Sequence, residues 1–109
     1  MAFDKGLISE ALQAFASEAP DHAKAWMTLV QSLGEASSLD SKTGELAHIA
    51  VLAALGRTSG IPFHVNSALT KGATREDAIS AILVGLPAAG HIVTQSLPPA
   101  LKVLDSPKE

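Results

Sequence analysis

The stretch from Leu46 to Leu55 sets the strongest limit on what this chain can become. Nine of its ten residues are apolar, and only His48 interrupts them. These residues lack the strict alternation of a half-buried strand, and no long run of β-branched side chains accompanies them. A helix covered on nearly every side satisfies the pattern. Elsewhere apolar residues recur at intervals of three and four, which marks one-sided helices, and no segment reads as a strand. The chain is expected to be all-α.

Prolines, glycines and capping residues divide it into about six helices. A first amphipathic helix is expected from near Phe3 to Ser17, with Leu7, Ile8, Leu12 and Phe15 on one face. Pro20 opens a second, since the first turn of a helix has no use for the missing N–H. Trp26, Met27, Leu29, Val30 and Leu33 form its apolar side. Asp40 or Ser41 can cap the third helix, which contains the apolar run. Gly56 to Gly60 is a break, and Ile61-Pro62 starts a fourth helix that ends at Lys71-Gly72. Thr74 and Asp77 form a near capping box for a fifth helix, which Pro87 should bend or end. A last helix from about His91 is expected to be interrupted by Pro98-Pro99.

At 109 residues the chain is expected to be a single domain. Hydrophobic residues make up 47% and charged residues 17%, so apolar faces remain after one small core is filled. That excess points to a homo-oligomer. A net charge of -3 with no basic cluster argues against nucleic acid or an acidic membrane surface as partner. The longest apolar runs fall short of the ~20 residues of a membrane helix, and the N-terminus has no signal-peptide pattern. A cytoplasmic location fits these features. The absence of cysteine excludes disulfides, cysteine-ligated zinc, iron–sulfur clusters and thiol redox chemistry.

Three features together carry a family resemblance. Glu45 is followed by eleven residues, Arg57, two residues, Gly60, three residues and His64. This resembles the Glu, Cys, Cys, His spacing of the alkylhydroperoxidase and carboxymuconolactone decarboxylase family, with both cysteine positions empty. The stretch from Leu39 to Leu46 is similar to the family's helix start, and Gly72 to Asp77 to its Gly-Ala-Thr-Arg-Glu-Glu turn, so the resemblance covers about residues 38–92. It implies an alkylhydroperoxidase-like helical bundle, as a trimer or hexamer. Thiol peroxidase activity is not expected, because no thiolate is present. The Gly56-Arg57 pair resembles the decarboxylase branch, which also lacks thiols. A cofactor-free lyase acting on a small carboxylated or lactone substrate would use Arg57 to hold carboxylates, His64 to protonate the dienolate and Glu45 to orient the histidine. Two departures run against the decarboxylase pattern, and the loss of the cysteines with Gly44 favours a competing reading, a binding or assembly module on the same fold. Acidic residues are missing between Arg57 and His64, and Gly44 stands where the family commonly has arginine.

The residues themselves leave alternatives open. Glu45 is a solvated helix carboxylate or the acid of a site. His64 is a hydrogen-bonded core histidine or a proton carrier. In a simple antiparallel hairpin the two are misaligned by about 9 Å along the helix axes. His48 forms a Glu-x-x-His step with Glu45, which is half of a di-iron motif. With His64 and His91 these residues could surround one zinc or iron, or His48 and His64 are buried histidines satisfied by hydrogen bonds. The expectation is no metal and no cofactor. His48, His91 and Ser59 are expected in a pocket around Glu45, Arg57 and His64. No nucleophile elbow is present, which argues against a serine hydrolase.

Overall fold

The structure is a computed structural model that describes residues 5–106. The expected all-α class is observed, with no strand among the described residues. The chain divides into two compact units, residues 1–40 and 41–109.

The first unit is a helical hairpin. After a short 3-10 turn at Lys5–Leu7 come α1 (Glu10–Glu18) and α2 (Pro20–Ala36). Helix α1 starts later than expected, because the Ser9 hydroxyl accepts from the Leu12 N–H at 3.1 Å and fixes the first turn there. Phe3 lies outside the described residues. Pro20 occupies the first turn of α2, as its chemistry requires. Phe15 and Trp26 meet edge to face, with ring centroids 6.3 Å apart. Yet neither helix contains a buried residue. Trp26, Leu29, Val30 and Leu33 are all exposed, and a groove of about 650 Å³ opens between Ile8, Leu12, Phe15, Trp26 and Met27.

The second unit has a true core. It comprises α3 (Ser41–Leu55), a 3-10 turn at Thr58–Gly60, α4 (Ile61–Thr70), α5 (Arg75–Leu83), the short α6 (Leu86–Ala89), a 3-10 segment at Gly90–Ser96 and α7 (Leu97–Leu104). Ile49, Ile61, Val65, Ile82 and Val93 are completely buried within it. Burying side chains of this size contributes about 1.5–3 kcal/mol each.

Glycines end two of these helices by the same device. Gly56 has φ 70°, its N–H donates to the Ala53 carbonyl and the Arg57 N–H reaches back to Leu52. Gly72, at φ 98°, repeats this with Leu69, while Ala73 bonds to Ala68. Both are Schellman ends, in which glycine takes a conformation other residues resist. The Thr74–Asp77 capping box then starts α5, with both reciprocal bonds formed. Arg75 and Asp105 join the start of α5 to the end of α7 at 3.0 Å.

The C-terminal third differs from expectation. Helix α5 stops at Leu83, and Pro87 falls in the first turn of α6 instead of inside a long helix. His91 lies in the 3-10 segment, and Pro98-Pro99 belong to the first turn of α7, which they start instead of interrupting. By composition and length, Arg75–Leu104 would suffice to cross a membrane. These interruptions divide it into separate short helices. Helix α3 also departs from the expected nearly complete coverage, since Val51 and Leu55 remain 56% and 62% exposed.

Candidate functional site: an acid, two histidines and a lysine

The register between α3 and α4 creates the site. A methyl group at Gly60 would lie 3.2 Å from Leu52, so by Gly60 the chain has already returned about one turn along α3. Four residues further along each helix, His48 stacks on His64, with ring centroids 4.1 Å apart and planes 21° from parallel. Three residues beyond that, Glu45 lies opposite Ser67 and the two are bonded at 2.8 Å. The five-residue connection thus removes about half of the expected 9 Å misalignment. Side chains span what is left.

Glu45 is the hub. Its side chain is only 9% exposed, and both oxygens are engaged. Oε1 lies 2.5 Å from His64 Nδ1. Oε2 accepts from the Ser67 hydroxyl at 2.8 Å and from the Lys71 ammonium at 2.9 Å. Burial opposes the charged form of Glu45, but the hydrogen bonds from His64, Lys71 and Ser67 outweigh it and hold its carboxyl down at about 2. Glu45 is therefore an anion at neutral pH and accepts at Oε1. His64 must carry its proton on Nδ1, which leaves Nε2 to gain or lose one.

His64 is held from both sides. His48 covers one ring face, and Phe63 meets the ring edge-on with centroids 5.2 Å apart. His48 itself is exposed at its outer edge, yet the packed part of its ring has lost water. That desolvation, with the nearby His64, lowers its tendency to accept a proton, although Glu45 acts in the opposite sense. Oxygen or nitrogen donors of Glu45, His48 and His64 all lie within 4.8 Å of one another, so these three residues could hold a metal ion. An ion there would have to compete with bonds that already occupy both Glu45 oxygens.

Among the described residues no side-chain hydrogen bond, ion pair or ring contact joins the other expected residues, Arg57, Ser59 and His91, to this cluster. Arg57 follows α3, about 15 Å along that helix from Glu45, and its exposed guanidinium makes no hydrogen bond or ion pair among the described residues. Ser59 is exposed in the 3-10 turn, and His91 is exposed at the start of the later 3-10 segment, where its carbonyl accepts from Thr94. The cation that touches the cluster is Lys71. Sequence reasoning placed it only at a helix end, but His64, Ser67 and Lys71 are spaced by three and four and so share one face of α4. That spacing was the available signal. Gly60, one of the two empty cysteine positions, does face the cluster, since a methyl group there would lie 3.9 Å from His64 Cδ2.

The fold and this cluster define a small all-α protein with a carboxylate-fixed histidine between two antiparallel helices. Residues 20–102 match the model of the carboxymuconolactone decarboxylase family, and the chain belongs to that family. The match extends beyond both ends of the segment that carries the sequence resemblance. No curated protein and no solved structure gives a significant match.

Proposed function

We propose that the protein is a thiol-independent acid–base enzyme acting on a small carboxylated or lactone substrate, with His64 as proton carrier and Glu45 as the anion that fixes it. The observation that carries this reading is the 2.5 Å contact between Glu45 Oε1 and His64 Nδ1, on a carboxylate whose other oxygen is held by Ser67 and Lys71. An imidazole fixed in this way presents Nε2 to a bound substrate as donor or acceptor. In a decarboxylation, the bond to the departing carboxylate breaks, carbon dioxide leaves and the electron pair enters a dienolate. His64, which takes up a proton from solvent at Nε2 beforehand, then donates that proton to carbon and is left neutral. Family membership supports substrates of this class, and the absence of cysteine supports chemistry without thiols.

Carbon dioxide release from carboxylated γ-lactones tests the proposal. Turnover is expected for the wild-type protein, with His64→Ala and Glu45→Gln each reducing it at least about a hundredfold. A wild-type protein that turns over no such lactone, or a His64→Ala variant as active as wild type, would sink the reading.

A second reading is a binding or assembly module on the same fold, favoured by the exposed apolar faces of α2 and α3. A homo-oligomer, trimeric or hexameric, accommodates both readings, and light scattering tests it against a stable monomer. The donor cluster of Glu45, His48 and His64 supports a mononuclear metal site as a further alternative. Stoichiometric zinc or iron in protein purified without chelator is its expected signature.

A further inference from the structure

Helix α3 packs against α4, α5 and the 3-10 segment Gly90–Ser96, and one stripe of it is left bare. Gly44, His48, Val51 and Leu55 follow one another at intervals of four, three and four, so they form a single line about 16 Å long. This is the spacing of a two-helix seam, which alternates three and four to keep facing a partner helix. His48, Val51 and Leu55 are exposed, as is Ala47 beside them, and a methyl group at Gly44 would meet nothing within 4 Å. Ile92, also exposed, lies beside Gly56 and extends the apolar surface past the end of the stripe.

Charge, shape and area together give this stripe an occupant. A helix face meant for water carries charged side chains. Helix α3 has only two, and both are drawn away from the stripe: Glu45 bonds to His64 and Ser67 of α4, and Lys42 acts on Asp77 of α5. A surface that meets its own copy across a two-fold axis brings each charge near its duplicate, and here there is none to repel. The stripe also matches itself when reversed. In an antiparallel pair with the axis between Ile49 and Ala50, Leu55 of each copy lies over Gly44 of the other, and Val51 lies over His48. The bulkiest residue of the line then enters its one gap. A parallel pair would instead set Gly44 against Gly44. The surface area agrees. The chain exposes 7353 Å², whereas a monomer of 11.2 kDa is expected to expose about 5,700 Å². The surplus of about 1,700 Å² exceeds the roughly 800 Å² that each partner buries in a standard contact, so it leaves room for one on α3 besides any on α1 and α2.

We propose that α3 pairs with α3 of a second copy of this chain, antiparallel about a two-fold axis, through Gly44, His48, Val51 and Leu55. Val51 of the second copy then covers the open edge of His48 and becomes a wall of the histidine cluster, so the site is closed only in the pair. The contact does not depend on the reaction assigned to that cluster. It narrows the assembly as well. A hexamer with two-fold axes contains such a pair, and a simple trimer does not.

Sedimentation velocity of the full chain over a wide concentration range tests the pairing, and the absence of native cysteine lets introduced disulfides report its register. Wild-type protein is expected to form an even-numbered assembly. Val51→Lys brings two ammonium groups close to the axis and should dissociate that assembly into halves, with a dissociation constant raised at least about tenfold. Its circular dichroism should be unchanged, because Val51 is exposed. Gly44→Cys and Leu55→Cys, mixed and oxidised, should give a disulfide-linked pair of one of each. Neither variant should cross-link with itself, since like positions lie about 16 Å apart along the axis and a disulfide joins Cα atoms no more than about 7 Å apart. A wild-type monomer at every concentration, a wild-type trimer, or unchanged association in Val51→Lys overturns the proposal. Failure of the mixture to cross-link does so too, as does self-cross-linking of either cysteine variant, which would mean a parallel register. Association lost in Leu33→Lys but kept in Val51→Lys would seat the contact on α2 instead.

Discussion

The two units of this chain bury their apolar residues very differently. Residues 41–109 enclose Ile49, Ile61, Val65, Ile82 and Val93 without residual exposure, while α1 and α2 bury nothing. Both read as amphipathic or apolar helices in sequence. The second unit therefore supplies its own stability and positions the charged cluster, and the first presents an apolar surface that only further contacts can cover. The enclosed core and the charged cluster belong to residues 41–109, and α1 and α2 leave their apolar side chains open.

The largest expected effect tests this contrast directly. Ile82→Ala removes a fully buried side chain and should cost about 2–5 kcal/mol, whereas Leu33→Ala, at a site 61% exposed, should cost less than about 0.5 kcal/mol. Urea unfolding at concentrations where the chain is monomeric measures both. Equal losses would mean that α2 is covered in solution and would break the comparison. A Leu33→Ala loss that appears only at high protein concentration would sharpen it, by locating self-association on that helix.

Glu45 gives the next effect, specific to the second unit. Its carboxyl is lowered from an ordinary 4.5 to about 2, so its bonded anion contributes to stability fully above pH 4.5. That contribution, up to about 3 kcal/mol, is lost as pH falls from 4.5 through 2. His48 has the same sign at higher pH: its lowered proton affinity makes stability decline as pH falls below 6.5. Glu45→Gln should lower the stability at pH 7 by about 2 kcal/mol and flatten the acid limb of the stability curve. An unchanged acid limb in Glu45→Gln would show that other groups control acid unfolding.

A smaller effect compares the helix caps of the two units. Thr74 and Ser9 each accept a backbone N–H, from Asp77 and Leu12 respectively. Thr74→Ala should cost about 1 kcal/mol in global unfolding, because α5 carries buried Ala78 and Ile82 and cannot fray without disturbing the core. Ser9→Ala should reduce helicity by circular dichroism and leave the unfolding midpoint nearly unchanged, since α1 buries nothing. Equal shifts in the two midpoints would remove the distinction between the units.

Much of this architecture was legible in the residues. Apolar spacing identified the all-α class, Gly72 marked the end of α4, and Thr74 with Asp77 marked the start of α5. Where the reading failed, it failed for want of context. Pro98 and Pro99 are compatible with a helix break or a helix start, and only the 3-10 segment before Leu97 decides between them. The apolar run of α3 could not show that Val51 and Leu55 remain exposed, because composition does not say whether cover comes from the same chain. Glu45 and His64 were identified by the spacing, but their contact depends on how far the Gly56–Gly60 connection returns along α3. Lys71 reaches the cluster through a long side chain, which helix ends alone do not reveal.

The smallest expected effect concerns a flaw in the better-packed unit. Ser96 is completely buried at the end of the 3-10 segment, and its hydroxyl has no hydrogen-bond partner among the described residues. Burying such a group opposes folding, because water that solvated it in the unfolded chain is not replaced. Alanine keeps the small volume and removes the polar atom. Ser96→Ala should therefore raise stability by up to about 1 kcal/mol, whereas Ser17→Ala in α1, at an exposed site, should change it by less than about 0.5 kcal/mol. A Ser96→Ala variant less stable than wild type would mean that the hydroxyl finds a partner, most simply a buried water. The interior of the second unit would then contain a polar site, and its contrast with the first would rest on enclosure more than on apolar packing.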